Sequence, residues 1–214
     1  MKKTFSIILL FFIATSNLFS QFVAGEKLTP TATLTSGDIS SLNAINVVNI
    51  VYTYTNLKVG EFNKEEDYLN KRCNDYKEKG KDSSLCGIFR QRWVDGRKDT
   101  YEPRFELLFN KYGKSLDLTG TNYTNTNNIT LEVNTVFVEV GYNIGLSQRP
   151  SRIDLECTFK DKTGKILCVF FVKNATGSTS FDFNDVRVPI GECYAKAAKL
   201  LTSEIKNERK KKLN

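Results

Sequence analysis

Two strand-like segments joined by a short turn constrain the fold of this chain more than any other feature. Apolar and polar residues alternate over 152–160, residues 165–173 are mostly apolar, and Asp161-Lys-Thr-Gly164 separates the two segments. Such a pattern around a glycine-containing turn predicts a β-hairpin. Symmetric pairing about the turn puts eight apolar residues on one face, as the pairs Ile153/Val172, Leu155/Phe170, Cys157/Cys168 and Phe159/Ile166. The second strand is apolar on both faces, so we expect it to be central.

The remaining periodicities predict helices around this sheet. Residues 47–54 have strand composition, residues 64–79 have helical spacing, and a second helix follows Pro103. A last helix begins near Pro189, and residues 81–100 read as an irregular loop. Within residues 131–140 the alternating apolar residues change from odd-numbered to even-numbered positions, which indicates either a bulge or two strands. The predicted fold is α+β, with a mostly antiparallel sheet of about four to five strands packed by helices in the order β-α-α-β-β-β-α.

The ends of the chain differ in composition from its centre. Lys2 and Lys3 precede a short apolar run and then small and polar residues, the layout of a secretory signal peptide over residues 1–20 with cleavage after Ser20. Residues 21–43 are rich in Ser and Thr and are predicted to be a flexible leader. We expect a single domain over residues 44–205 and a basic tail over residues 206–214. The tail is either a solvated helix end or a contact with an anionic envelope surface. The expected location is periplasmic or extracellular.

The amino-acid composition excludes several kinds of catalytic, metal-binding and nucleic-acid-binding site. It contains no histidine, which removes Ser-His-Asp and Cys-His catalysis and histidine-ligated zinc. The formal charge of +7 is concentrated at the two ends, so a uniformly basic face for nucleic acid is not indicated. No segment after the signal peptide is long and apolar enough to span a bilayer. The sequence indicates no catalytic residues, no metal and no cofactor.

Five cysteines in an exported chain raise the question of disulfides. Cys157 and Cys168 are predicted neighbours across the hairpin and are either buried thiols or a bridge. Cys73 and Cys86 lie 13 residues apart, and a bridge between them would tie down the region after the first helix. Cys193 lies on an apolar helical stripe and is expected to be an inert core thiol.

Two segments carry the residue types that anchor protein contacts. In the first, Trp93, Tyr101 and Arg104 fall in or next to the predicted loop 81–100, where Trp93 either contacts a partner or covers the open side of the sandwich. In the second, the loop of residues 142–151 carries Tyr142, Asn143 and Arg149 and is either a contact surface or an ordinary turn.

The sequence resembles a family of uncharacterised exported Bacteroidetes proteins. The similarity is carried by TNLKVGEF at 55–62, WVDGR at 93–97, YEPRFELLFNKY at 101–112, GYNIGLSQRPSRIDLECTF at 141–159 and IGECYAKAAKLL at 190–201. More loosely, the order of elements is similar to small α/β envelope domains of curli-secretion and penicillin-binding-protein activator lipoproteins, although this chain lacks a lipidated cysteine. The first family has no known activity, whereas the likeness to the envelope domains implies a domain that binds partners and catalyses nothing.

The sequence therefore favours a non-enzymatic, exported interaction domain whose partner is a protein or another envelope component. The alternative is a small-ligand carrier, or an enzyme that uses carboxylate or cysteine chemistry without histidine. A filled core favours the first function, and an apolar cavity lined by polar groups favours the second.

Overall fold

A computed structural model describes residues 28–122, 129–179 and 185–212. One face of a mixed seven-stranded sheet is covered by helices. The strands are β1 (Thr31–Gly37), β2 (Val47–Thr53), β3 (Lys58–Val59), β4 (Thr119–Thr121), β5 (Ile129–Glu139), β8 (Arg152–Asp161) and β9 (Ile166–Thr176), and β6 (Tyr142–Asn143) and β7 (Gln148–Arg149) form a separate two-stranded hairpin. The α-helices are α1 (Glu65–Glu78), α2 (Ser84–Gly96), α3 (Glu102–Gly113) and α4 (Arg187–Lys211).

The sheet order is β1-β9-β8-β5-β2-β4, and β3 also pairs with β5. The pairs among β1, β9, β8 and β5 are antiparallel, whereas β2 pairs in parallel with both β5 and β4. The predicted mostly antiparallel sheet of four to five strands, in the order β-α-α-β-β-β-α, is therefore wrong. Parallel strands need a long crossover, and here α1, α2 and α3 supply it between β2 and β4.

The predicted flexible leader, residues 21–43, contains an edge strand that the sequence interpretation missed. Over its seven residues β1 pairs with β9, and Ala32 and Leu34 lie opposite the buried Val172 and Phe170. A 3₁₀ turn follows, in which Ile39 and Leu42 are fully buried. The Thr-rich sequence of β1 suits an exposed edge because threonine favours strands. The predicted signal peptide, residues 1–20, lies outside the described residues.

The region that was predicted to be an irregular loop forms α2 and a five-residue π-helical turn, Arg97–Tyr101. Leu85, Phe89 and Trp93 follow one another at intervals of four, which places them on one face of α2. Phe89 and Trp93 are buried against Tyr68 of α1, with ring centroids 6.2 and 5.2 Å from the Tyr68 ring. This aromatic packing makes α1 and α2 a helical pair at one end of the molecule.

The β8–β9 hairpin exists, but its register differs from the symmetric one. Cys157 pairs with Phe170, Phe159 with Cys168 and Leu155 with Val172. The loop has three residues, since the amide of Asp161 donates to the carbonyl of Lys165. In addition, the pairing register shifts by one residue between Phe159 and Lys160. The extra residue on β9 is Leu167, and its carbonyl accepts a hydrogen bond from the amide of Asp38. Cys157 and Cys168 are accordingly not opposite each other, and both are free thiols.

The core fills the space between the inner sheet face and the helices. Leu131, Val133, Leu155, Phe159 and Phe170 from the sheet are fully buried, as are Phe105, Phe109, Ala197, Leu201 and Ile205 from α3 and α4. The predicted basic tail of residues 206–214 is helical as far as Lys211. Its Arg209 guanidinium donates to the carbonyls of Leu42 and Leu116, each at 2.8 Å, so this end of α4 is docked on the domain. Within the described residues, no helix has the length and apolar character needed to cross a membrane.

A disulfide joins Cys73 of α1 to Cys86 of α2, with Cα atoms 4.9 Å apart. We expect the double variant Cys73→Ser/Cys86→Ser to lose about 3 kcal/mol of unfolding free energy, because the bridge restricts the unfolded chain. Urea unfolding of the variant and of the reduced wild type should give the same loss. A free energy of unfolding within about 0.5 kcal/mol of the oxidised wild type, the range of a typical surface change, would show that the bridge contributes nothing.

Candidate functional site

The β6–β7 hairpin presents a continuous run of exposed residues, 144–150, to solvent. Tyr142 pairs with Arg149 and Asn143 with Gln148, and residues 144–147 form the connecting turn. The Asn143 side-chain oxygen accepts a hydrogen bond from the Gly145 amide at 3.0 Å, the local bond that favours asparagine before a turn. Gly145 has a φ of 80°, a conformation that glycine adopts without strain.

The base of the hairpin is fixed to the main sheet. Ser151, which is fully buried, exchanges backbone hydrogen bonds of 2.9 Å with Gly177 and Ser178, and its hydroxyl donates to the carbonyl of Val140. Gly141 has a φ of 74°, and a Cβ there would lie 2.6 Å from the Arg149 carbonyl oxygen. Because the base is packed this closely, the position of the hairpin is defined relative to the sheet.

The turn carries two aliphatic side chains into solvent. Ile144 is 64% exposed and Leu146 is fully exposed. Beside them, the Arg149 guanidinium lies 3.2 Å from a Glu139 carboxylate oxygen and 5.9 Å from the centre of the Tyr142 ring. Arginine and tyrosine are the residue types that anchor protein contacts, and exposed apolar groups beside polar ones mark interaction sites. The three predicted residues of this segment, Tyr142, Asn143 and Arg149, are thus brought together.

The other three predicted contact residues lie elsewhere, and two of them are buried. Trp93 is 4% exposed on α2, and its indole nitrogen donates to the carboxylate of Glu65. Tyr101 is also 4% exposed, in the π-helical turn, with its ring stacked 5.3 Å from that of Tyr194. The irregular loop predicted for residues 81–100 is wrong, because Trp93 lies on α2, whose spacing turns its aromatic side chains inward. The burial of Trp93 agrees with the alternative of a structural role, and Tyr101 is buried through its stacking on Tyr194. Arg104 is half-buried on α3, with its aliphatic stem against Gly191 of α4.

A cluster of tyrosines and carboxylates surrounds the π-helical turn. The guanidinium of Arg97 lies 3.9 Å from the ring centre of Tyr54 and also pairs with Glu65. The hydroxyl of Tyr54 donates to Glu102, at 3.3 Å. π-Helical turns often occur at functional sites, which makes this cluster a second candidate region.

Burial shifts the pKa of two carboxylates in this cluster. It raises the pKa of both Glu102 and Glu106, partly offset by hydrogen bonds from Tyr54 and Tyr52 respectively. The Tyr52 hydroxyl lies 3.4 Å from the Glu106 carboxylate and 3.2 Å from the Glu102 carbonyl oxygen. The tyrosine hydroxyls and carboxylates of this cluster are therefore hydrogen-bonded to other groups of the protein.

The three free cysteines are poor nucleophiles in this fold. Burial raises the pKa of Cys168 to about 12 and raises the pKa of Cys157 and Cys193 as well. Since the thiolate is the reactive form, these thiols are inert at neutral pH. Within the described part of the chain, no three Cys, Asp or Glu side chains are grouped so that they could hold a metal ion.

A shallow pocket that is open to solvent and has essentially no enclosed volume lies beside Trp93. It is lined by Phe89, Arg92, Trp93, Asp185, Val186 and Arg187. Pockets that enclose small-molecule ligands are typically about 300–1,000 Å³. Asp185 and Arg187 pair with each other here, and this hydrogen bond lowers the pKa of Asp185. The pocket is too small and too open to enclose a ligand.

Sequence reasoning missed the tip residues Ile144 and Leu146 and the whole tyrosine–carboxylate cluster. A signal for the tip was present, since two aliphatic residues interrupt an otherwise polar turn, NIGLSQ. The cluster gave no local signal, because Tyr54, Arg97 and Glu102 meet only through the tertiary fold.

Comparisons with known proteins give this chain no family. No family model matches it, and no curated protein does. Among solved structures, a PelC dodecamer from Paraburkholderia phytofirmans shares 10% identity and a TM-score of 0.34, with 80% of this chain and 99% of that chain covered. A likeness at that level carries no argument about either fold or function.

Proposed function

We propose that this chain is an exported, non-enzymatic interaction domain that binds a partner protein through the β6–β7 hairpin. Export is supported by the signal-peptide pattern of residues 1–20 and is implied by the resemblance to exported Bacteroidetes proteins. The partner is a protein of the compartment that receives the chain. No catalytic residue, metal or cofactor is required for this function.

The observation that carries the proposal is the apolar tip on its fixed base. Leu146 has no contact that hides it from water, and Ile144 beside it is mostly exposed. Leaving a leucine in water forgoes roughly 1.5–3 kcal/mol of burial free energy, which a partner can recover on binding. Arg149, with its side chain 58% exposed, adds a cation that can pair across the interface.

A second candidate function is an enzyme that uses carboxylates without histidine. The raised pKa of Glu102 and Glu106 favours it, because catalytic carboxylates are often perturbed in this direction. The interaction function is favoured over it because both carboxylates are bonded to tyrosine hydroxyls rather than facing a cavity.

We expect Leu146→Asp to lower partner binding at least tenfold, since it places a charge at the centre of the proposed contact. Stability should change by less than about 0.5 kcal/mol, because the side chain is fully exposed. The partner is identified by affinity capture of the native exported protein with mass spectrometry, and binding to the purified partner is then measured by calorimetry.

The matched control is Ile166→Asp, which alters an aliphatic side chain that is 53% exposed at the opposite end of β8 and β9. It should bind as the wild type does. Equal affinity of the Leu146→Asp variant and the wild type would remove the hairpin from the interface.

A further inference from the structure

The outward face of α3 and α4 carries a row of lysines that the proposed hairpin contact does not use. Lys196, Lys199, Lys206 and Lys210 are all exposed, and their spacing places them within one narrow stripe of α4. The stripe extends over about 21 Å, at 1.5 Å per residue. Between residues 196 and 212 there are seven basic residues and two acidic ones.

Helix α3 continues this basic face. Its exposed stripe contains Leu107 and Lys111, and the exposed Lys114 follows in the 3₁₀ turn that adjoins the end of α3. Tyr112 connects the two helices, with the ammonium of Lys111 5.8 Å and that of Lys199 5.3 Å from the centre of its ring. The two helices lie side by side, because Arg104 contacts Gly191 at one end and Arg209 bonds Leu116 at the other.

These lysines are not neutralised by nearby acids of the described residues. None of the six on this face, Lys111, Lys114, Lys196, Lys199, Lys206 and Lys210, forms an ion pair with a described carboxylate. The two acids of this part of α4 are engaged elsewhere, Glu208 with Lys211 and Glu204 with Asn207. With seven basic residues against two acidic ones over residues 196–212, this part of α4 keeps a net positive charge that favours an anionic partner.

We propose that this face binds the surface of an anionic phospholipid membrane. Lysines that are spread along two neighbouring helices suit headgroup phosphates distributed in a plane, each lysine acting as a flexible point charge. Leu107, 66% exposed, and the amphipathic ring of Tyr112 supply groups that favour the membrane interface. The membrane contact is electrostatic and leaves the β6–β7 hairpin free for a protein.

The test uses the exported form of the chain and sedimentation with vesicles of phosphatidylcholine, either pure or with about one third phosphatidylglycerol. Binding should require the anionic lipid and disappear at high salt, because screening weakens exposed charges. Replacing Lys196, Lys199, Lys206 and Lys210 with glutamine should lower vesicle binding by several hundredfold, at about fivefold per lysine.

The matched control replaces four exposed lysines elsewhere, Lys58, Lys162, Lys165 and Lys173, with glutamine and removes the same charge. It should retain binding within about threefold. The double variant Lys199→Gln/Lys206→Gln should already lose about 25-fold and serves if the fourfold variant does not fold. Equal losses in the two fourfold variants, or no binding of the wild type to anionic vesicles, would overturn the proposal. Tighter binding to a soluble sulfated polysaccharide than to vesicles would do the same, by identifying a polymer as the ligand.

Discussion

Phe170→Ala should lower the free energy of unfolding by about 3–5 kcal/mol, the usual cost of deleting a core aromatic side chain. Phe170 is fully buried on β9, opposite Leu34 of β1 and Cys157 of β8. Its ring contacts that of Phe159 edge-on, with centroids 6.1 Å apart. No side chain can move into the space without disturbing both neighbouring strands. Urea unfolding followed by circular dichroism measures the loss.

The control for this prediction is Ile166→Ala on the same strand. The symmetric register puts Ile166 in the core opposite Phe159, whereas the structure leaves it 53% exposed. We therefore expect it to cost less than about 1 kcal/mol. Comparable losses for the two variants would contradict the register of the β8–β9 hairpin.

Trp93→Ala should also cost about 3–5 kcal/mol, the usual loss for a buried tryptophan. Trp93 packs against Tyr68 and Phe89, and its indole N–H is a donor to the buried end of Glu65. Deletion opens a cavity and leaves Glu65 with Arg97 as its remaining partner among the described side chains.

The matched variant is Arg149→Ala, which removes an exposed side chain from the hairpin and should leave the melting temperature unchanged. Both variants are compared by thermal unfolding and by binding to the captured partner. If Trp93→Ala melts like the wild type yet loses the partner, Trp93 belongs to the contact surface and its structural role here is wrong.

The β8–β9 hairpin shows which structural features the sequence alone predicts and which it does not. Alternation of apolar residues correctly places the inner face of β8, from Ile153 to Phe159, which is buried. It does not reveal the extra residue Leu167, because a bulge is specified by the backbone hydrogen bond that Leu167 makes to Asp38, far away in sequence. The register error of two residues has two equal parts, one from this bulge and one from the loop, which has three residues where four were predicted.

The order and direction of the strands were harder to predict from the sequence than the individual helices and strands. β2 was predicted from its composition, but its parallel partner β5 lies beyond three helices, and hydropathy does not encode such pairing. β1 was missed because an edge strand buries only alternate residues, here Ala32 and Leu34, within a polar stretch. Helix α2 was missed because Gly87 and several charged residues conceal the stripe of Phe89 and Trp93.

Of the candidate site, the sequence predicted Tyr142, Asn143 and Arg149 as a group, since they lie in one short segment. It left open whether Trp93 is buried and did not predict that Tyr101 is, because their covering residues, Tyr68 and Tyr194, come from other helices. A surface feature that lies within one short segment can therefore be predicted more easily than packing between residues far apart in the sequence.

The hairpin contact is tested most directly by photo-crosslinking in the cell that exports the protein. A photoreactive amino acid replaces Leu146, Ile144 or, as the control, Ile166. The proposed function predicts one defined protein adduct from positions 144 and 146 and none from position 166. Equal adducts from all three positions, or none from the hairpin, would contradict it.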